Sequence, residues 1–136
     1  MTPKEYLKQI AKYDYAIYIA EEEAQRLRDA LDIKAITYTE ARVQTSPSDI
    51  SSLLARLADM ETENLKRREE AAKLRNTIIN QILGMDDPMD VEFLYLRYVK
   101  CQNLKLIAKK LVYTYESARH KHGIALRRFG EKYGPF

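Results

Sequence analysis

The chain has 136 residues with 23 basic and 20 acidic side chains, four glycines, four prolines and one cysteine. It lacks the run of about 18 apolar residues that a membrane helix needs, and its charged N-terminus does not resemble a secretory signal. Cys101 cannot form an internal disulfide, and two histidines are too few for a zinc site of the usual kind. We therefore expect a soluble cytoplasmic protein without a metal or a cofactor.

The apolar residues recur at spacings of three and four, which predicts an all-α fold. Thr2, Pro3 and Glu5 predict a helix start with a capping box. The apolar positions that follow form a heptad pattern over about four heptads, as in a coiled-coil helix. The positions of this seam are Tyr6, Ile10, Tyr13, Ile17, Ala20, Ala24, Leu27 and Leu31.

The heptad pattern stops near Asp32. Residues 32–48 contain several β-branched side chains and then a Thr-Ser-Pro-Ser-Asp cluster, which predicts a loop. Ser48 or Asp49 can cap a second helix, whose apolar stripe continues to about Leu83.

The stripe of the second helix is weakest in its middle, where Asn64 and Arg67 occupy seam positions. Neither long helix can bury its apolar stripe alone, so the two are expected to pack antiparallel. Residues 1–83 are therefore predicted to form a helical hairpin, which we interpret as an oligomerisation domain.

The positive charge of the chain is concentrated at its C-terminal end. Residues 1–47 carry seven basic and eight acidic side chains, and residues 48–83 carry six of each. Residues 84–136 carry ten basic and six acidic side chains, and from residue 101 onward the numbers are eight and two. Such a local excess suits a phosphate-bearing partner.

Gly84 can end the second helix, and Asp87 with Pro88 can start the next. The remaining sequence predicts three helices with very short connections. They run from Pro88 to about Lys100, from Asn103 to about Leu111, and from Thr114 to about Lys132. The tight break before Thr114, a strong capping residue, predicts a helix-turn-helix domain within residues 84–136.

The third of these helices has a polar face on its first two turns. Ala118, Ala125, Leu126 and Phe129 are predicted to face inward. The outward side chains predicted to contact DNA bases are Tyr115, Glu116, Arg119 and His120. The side chains predicted to contact phosphates are Lys105, Lys109, Lys110, Thr114, Lys121, Arg127 and Arg128.

The C-terminal sequence resembles the fourth region of primary sigma factors. The resemblance is carried by Leu96-Arg97-Tyr98, Ile107-Ala108, Thr114, Ala125-Leu126 and Arg127-Arg128. The chain departs from that pattern at three positions: Cys101 and Val112 stand where glycine is usual, and Ala118 replaces a larger aliphatic residue.

Most of the chain is similar to small phage and prophage regulators of the ArpU and RinA kind. The segments KEYLKQI and RVQTSPSD and the pair His122-Gly123 carry this similarity. The resemblance implies a sequence-specific transcription regulator that binds double-stranded DNA in a bacterial cytoplasm, at the nucleoid, with RNA polymerase as a further candidate partner. The heptad seam favours a homodimer.

Two other functions fit the same pattern. One is a DNA-recognition packaging protein of the small-terminase kind, and the other is a coiled-coil interaction protein that binds RNA polymerase. An enzyme is not expected, because no nucleophile with a base and no glycine-rich phosphate loop occurs. Capping explains Asp86, Asp87 and Asp90, and His120 and His122 are two residues apart and face different directions.

Overall fold

A computed structural model describes the backbone of residues 1–41 and 47–136, and the side chains of residues 1–36 and 49–136. These described residues form helices and no strand, which confirms the all-α prediction. The elements are α1 (Pro3–Leu7), α2 (Gln9–Ala41), α3 (Pro47–Leu83), α4 (Pro88–Leu94), a π-helical turn (Tyr95–Val99), α5 (Leu104–Leu111) and α6 (Tyr115–Tyr133).

Three predicted helix starts are confirmed by their hydrogen bonds. The Thr2 hydroxyl accepts from the Glu5 amide at 3.1 Å, and the Glu5 carboxylate accepts from the Thr2 amide at 2.8 Å, which completes the capping box. Asp87 accepts from the backbone of the first turn of α4. The Thr114 hydroxyl accepts from the Ser117 amide at 3.1 Å at the start of α6. Each cap satisfies an amide that has no partner within its own helix.

The prediction of a loop that begins at Asp32 was wrong. Helix α2 continues to Ala41, and α3 starts at Pro47, slightly before the predicted caps. No glycine or proline occurs between Asp32 and Pro47, and β-branched residues lower helix propensity only slightly. The rest of the predicted loop, residues 42–46, lies outside the described residues.

The contacts divide the chain into two units. Unit 1 comprises Met1–Tyr13 and Ala71–Phe136, and unit 2 comprises Asp14–Glu70. This division differs from the sequence-based boundary between residues 83 and 84. The difference arises because the beginning of the chain and the end of α3 share one apolar core with the C-terminal helices.

Leu7 and Phe129 lie at the centre of the larger core of unit 1, and both are fully buried. Leu7 comes from α1 and was missed by the heptad reading, whereas Phe129 was correctly placed inward on α6. The other buried members are Ile10, Ile78, Ile82, Met85, Leu94, Tyr98, Val99 and Ala125. Helix α1 approaches α6 closely at Gly130, where an added Cβ would lie 2.7 Å from the ring of Pro3.

A second, smaller core joins α4, α5 and α6. Phe93 is fully buried against Ile107 and Ala108 of α5 and Ala118 of α6. The small side chains at positions 108 and 118 let the two helices approach the Phe93 ring. This core fixes the orientation of α6 relative to α5.

In unit 2 the two long helices contact each other in antiparallel order. Arg28 of α2 binds Glu61 of α3 at 2.9 Å, and Glu21 of α2 binds Arg68 of α3. Between these pairs, the side chain of Asn64 is 8% exposed and donates to the Ala20 carbonyl at 3.3 Å.

The polar interruption predicted at Asn64 and Arg67 is hydrogen-bonded. The Arg67 guanidinium donates to the Asn64 side-chain oxygen at 3.0 Å. A buried polar group that keeps its partners avoids the desolvation cost of an unsatisfied one. The weakest part of the apolar stripe is therefore held by hydrogen bonds among Asn64, Arg67 and the Ala20 carbonyl.

The heptad seam predicted for the first helix lies on α1 and α2, and most of its positions are at least partly buried. Ile10 is 2% exposed, and Tyr6, Ile17 and Leu27 are half-buried. Tyr13 is 37% exposed within the single chain, so its place in the seam stays a prediction. A tyrosine tolerates such a position because its hydroxyl end favours water.

Val112 gives a first testable prediction. It ends α5 with φ 60° and ψ 49°, a left-handed conformation that is unusual for a β-branched residue, and its side chain is 88% exposed. Val112→Gly should raise the free energy of unfolding by about 1 kcal/mol, because the relief of backbone strain exceeds the added entropy of the unfolded chain. Urea denaturation measures this change in the free energy of unfolding. Lys110→Gly, in the ordinary helical backbone of α5, should instead destabilise by about 1 kcal/mol, and equal effects of both changes would contradict the assignment of strain.

Candidate nucleic-acid interface

Helix α6 has one buried and one exposed face. Its buried side chains recur at helical spacing and are Ala118, His122, Ala125 and Phe129. All four predicted base-contacting side chains are exposed: Tyr115, Glu116, Arg119 and His120. The first two turns of α6 thus present two charged groups, an imidazole and a phenol to solvent, as the sequence predicted.

A tight turn of three residues joins α5 to α6. The Tyr113 amide donates to the Ala108 carbonyl at 2.8 Å across the left-handed residue Val112, the arrangement of a Schellman cap. The Tyr113 ring then packs against Phe93, with 6.3 Å between ring centroids. Hydrogen bonding and packing therefore both hold the turn that directs α6.

Cationic groups surround the two tyrosines at this end of the unit. The guanidinium of Arg119 lies 5.9 Å from the Tyr115 ring centroid, and the ammonium of Lys105 lies 6.0 Å from it. The ammonium of Lys121 lies 5.0 Å from the Tyr113 ring centroid. These distances suit cation–π attraction, which positions the charges and leaves their hydrogen-bond donors available.

The predicted phosphate contacts differ in their surroundings. Lys105, Lys109 and Lys110 are exposed on α5. Thr114 is exposed and its hydroxyl oxygen caps α6. Arg127 is exposed and lies 3.7 Å from Glu131 one turn further along α6, an ion pair that is weak at a solvated surface.

Arg128 has a structural contact that the sequence prediction overlooked. Its Nη1 donates to Asp87 and to Asp90, each at 3.1 Å, and the Asp90 side chain is only 5% exposed. The hydrogen bond to Asp90 is the main reason that the pKa of Arg128 is raised. Two carboxylates offset this cation, so we remove Arg128 from the candidate phosphate contacts. Capping explains Asp87 but not Asp90.

His122 faces the core, which sequence reasoning missed. Its Nε2 lies 2.8 Å from the Tyr98 hydroxyl, and burial lowers the pKa of the imidazole to about 4. Burial also raises the pKa of Tyr98 to about 12, so both groups are neutral at pH 7. The spacing of four from Ala118 and three to Ala125 was a signal that could have placed His122 on the inner face.

The net charge differs strongly between the two units. Unit 1 contains 15 basic and 7 acidic side chains, a net charge of +8, whereas unit 2 contains 8 basic and 13 acidic side chains, a net charge of −5. Lys4, Lys8 and Lys12 near the N-terminus belong to unit 1 and strengthen its positive charge. The small net charge of the whole chain hides this separation.

Among the described residues, no three histidine, cysteine, aspartate or glutamate side chains converge as a metal site would require. In the same part of the chain, no helix has the length and apolar character needed to cross a membrane. Comparison with protein-family models, with curated proteins and with solved structures found no match for this chain.

Proposed function

We propose that the protein is a sequence-specific regulator of transcription that binds double-stranded DNA through unit 1. In this proposal α5, the turn at Val112 and α6 form a helix-turn-helix, and α6 enters the major groove. The exposed polar first half of α6, held in place by the turn, carries the proposal. A major groove admits one α-helix and presents a distinct pattern of donors and acceptors for each base pair.

The backbone conformations at two positions add support. Cys101 has φ 55° and Val112 has φ 60°. Both stand where the sigma-factor pattern that the sequence resembles has glycine, the residue that adopts such angles most readily. This supports turns of the kind that the resembled pattern requires, even though the residues differ.

The exposed side chains divide into two roles. Arg119 has the donors for a bidentate contact to guanine, Glu116 can accept from cytosine, and Tyr115 can contact a thymine methyl group. The phosphate contacts are supplied by cations on α5 and α6, of which Lys121 is half-buried and the others are exposed, and by the Thr114 hydroxyl; they carry no sequence information. The candidate set for phosphates is now Lys105, Lys109, Lys110, Thr114, Lys121 and Arg127.

The acidic character of unit 2 favours a different role for that part of the chain. A net charge of −5 opposes close approach to a phosphate backbone. We therefore assign unit 2 to contacts with protein, and RNA polymerase is the partner that the resemblance to phage and prophage regulators suggests. A packaging role has no support from a particular feature of this structure.

The proposal is tested by charge reversal on the full chain. Lys105→Glu combined with Lys109→Glu should weaken binding to duplex DNA and make the dependence of log K on log salt shallower by about two units, because two phosphate contacts are lost. Fluorescence anisotropy with a labelled duplex at several salt concentrations measures both effects.

The matched control is Lys34→Glu combined with Lys66→Glu, which changes the charge of unit 2 by the same amount. The control should leave the salt dependence nearly unchanged. If both double variants lost DNA affinity equally, the binding would be non-specific attraction to the whole chain, and the assignment to unit 1 would be wrong.

A further inference from the structure

The side of α2 opposite its buried residues Ala24 and Leu31 carries a row of exposed side chains, the outer stripe. Neighbouring members of this stripe are three or four positions apart, so they share one face of the helix. The members are Tyr15, Tyr18, Glu22, Arg26, Asp29, Ile33 and Ile36, and all belong to unit 2. The two ends of the stripe are therefore apolar, and its middle is charged.

The apolar ends of the outer stripe are strongly exposed. Tyr15 and Tyr18 are 65% and 59% exposed, and Ile33 and Ile36 are 66% and 57% exposed. The two tyrosine rings stack with 6.3 Å between their centroids, so they form one continuous apolar surface. Single exposed apolar residues are common in a monomer, whereas several large ones on one helix face indicate a contact with another protein.

The order of the side chains along the stripe is symmetric about a midpoint between positions 25 and 26. Tyr15 and Ile36 lie equally far from this midpoint, and so do Tyr18 and Ile33. If a second copy of α2 packs antiparallel across the midpoint, each tyrosine faces an isoleucine of the other copy. One contact then covers the apolar side chains at both ends of both stripes.

The charged middle of the stripe fits the same arrangement. In it Arg26 lies within one helical turn of Glu22 and of Asp29 of the second copy, so each guanidinium lies between two carboxylates. The Arg26 side chain is 82% exposed, and its ion pair within the chain is 3.8 Å from Glu23, a surface pair that contributes little. The Arg26 guanidinium is therefore available to the second copy.

We propose that the outer stripe of α2 binds the outer stripe of a second copy of this chain in antiparallel order. Ala24 and Leu31 of the predicted heptad seam are buried within one chain, so a homodimer needs a different surface. The symmetry of the stripe favours a second copy over an unrelated partner, because a twofold interface requires a self-complementary surface and a contact with another protein does not.

The net charge of unit 2, −5, opposes its self-association. At physiological ionic strength, however, exposed charges more than about 8 Å apart are largely screened from each other. The contacts within the stripe are shorter than this, and burial of its apolar ends does not depend on charge. The short-range contacts therefore determine whether two copies associate.

Sedimentation velocity of the full chain tests the proposal. The face of one helix is a small protein interface, so the measurement covers about 1–100 μM, and the wild-type chain should reach the mass of a dimer at the upper end. Tyr18→Asp combined with Ile33→Asp should raise the dissociation constant at least about tenfold, because it places charges in the apolar ends of the contact.

The matched control is Leu54→Asp combined with Leu65→Asp, which adds the same two charges at exposed apolar positions of α3 in unit 2. The control should leave the dissociation constant nearly unchanged. Circular dichroism checks that each variant is folded. A wild-type chain that stays monomeric throughout, or equal losses in the two double variants, would overturn the proposal.

Arg26→Glu provides an independent variant, because its exposure makes a loss of the fold unexpected. It replaces the cation of the charged middle by a further carboxylate and should also raise the dissociation constant about tenfold. An unchanged dissociation constant in this variant would contradict the pairing of Arg26 with the second copy.

Cysteine cross-linking tests the antiparallel order. In a Cys101→Ser background, Gln25→Cys places a thiol beside the midpoint, where mild oxidation should join the two copies. Tyr18→Cys is the control, because in antiparallel order the two copies of this position lie about 22 Å apart along the helices, beyond the reach of a disulfide. Cross-linking at position 18 and not at position 25 would show parallel helices and would overturn the arrangement.

A twofold dimer contains two copies of α6, and this consequence rests on the proposed DNA-binding function. The wild-type chain should bind a duplex with two inverted half-sites more tightly than a duplex with one, and Tyr18→Asp combined with Ile33→Asp should lose this preference. If the wild-type chain dimerises as expected but binds no duplex, the dimer stands and the proposed function fails. If it binds duplex DNA but stays monomeric, the proposed function stands and the dimer fails.

Discussion

Leu7→Ala should lower the free energy of unfolding of unit 1 by about 2–5 kcal/mol, since it removes a fully buried aliphatic side chain and leaves a cavity. The effect is expected to reach α6, because Leu7 shares a core with Ala125 and Phe129. Urea denaturation followed by circular dichroism measures the total loss. Hydrogen exchange of α6 amides shows whether the loss includes that helix.

Leu65→Ala is the matched control for this prediction. Leu65 is 57% exposed on α3 within unit 2, and surface substitutions usually change stability by less than about 0.5 kcal/mol. If Leu7→Ala were as mild as Leu65→Ala, the start of the chain would not belong to the core of unit 1. A fragment of residues 84–136 lacks Ile78 and Ile82 as well as Leu7 and Ile10 of this core, so we expect it to remain unfolded.

The local features of the fold were predictable from the sequence because each depends on a few neighbouring residues. The caps at Thr2, Asp87 and Thr114 require only a suitable side chain two or three positions before a free amide. The inward and outward faces of α6 followed from helical spacing. The end of α2 was missed because β-branched residues were given more weight than the absence of a helix breaker.

The division into units could not be predicted from the same information. The heptad pattern predicts that Ile10 is buried, and the apolar stripe of the second helix extends past Ile78, but neither pattern specifies which surface covers these residues. In the structure both lie in one core with Phe129 of α6, which is distant in sequence. Such contacts depend on how whole helices pack, and a pattern along one helix does not specify its partner.

Only part of the candidate site could be predicted, because some of its contacts join residues that are distant in sequence. Exposure of Arg119 and Glu116 follows from periodicity, but the pairing of Arg128 with Asp90 joins residues 38 positions apart. The basic residues looked equivalent in the sequence, and only their carboxylate neighbours distinguish them. His122 was compared only with His120, and its helical spacing from Ala118 and Ala125 was not used.

The separation of base reading from phosphate contact can be tested on the first half of α6. Arg119→Ala should cost about 1–3 kcal/mol on the preferred site and relax the preference at one base pair, because a bidentate contact to a base edge would be lost. Arg119 is exposed and contacts the ring of Tyr115, so the fold should survive the change. Selection from randomised duplexes with each variant measures the preference.

Lys109→Ala provides the comparison, because Lys109 is exposed on α5 and is assigned to phosphate. Its loss should weaken all sequences alike and make the salt dependence shallower by about one unit, with the preferred sequence unchanged. If α6 contacts base edges, Arg119→Ala and Lys109→Ala must have these different effects, because phosphates are identical at every base pair whereas base edges are not. If Arg119→Ala retained both the preferred sequence and its affinity, α6 would not read the bases, and docking of the sigma-factor kind would have to be abandoned even if the chain bound DNA.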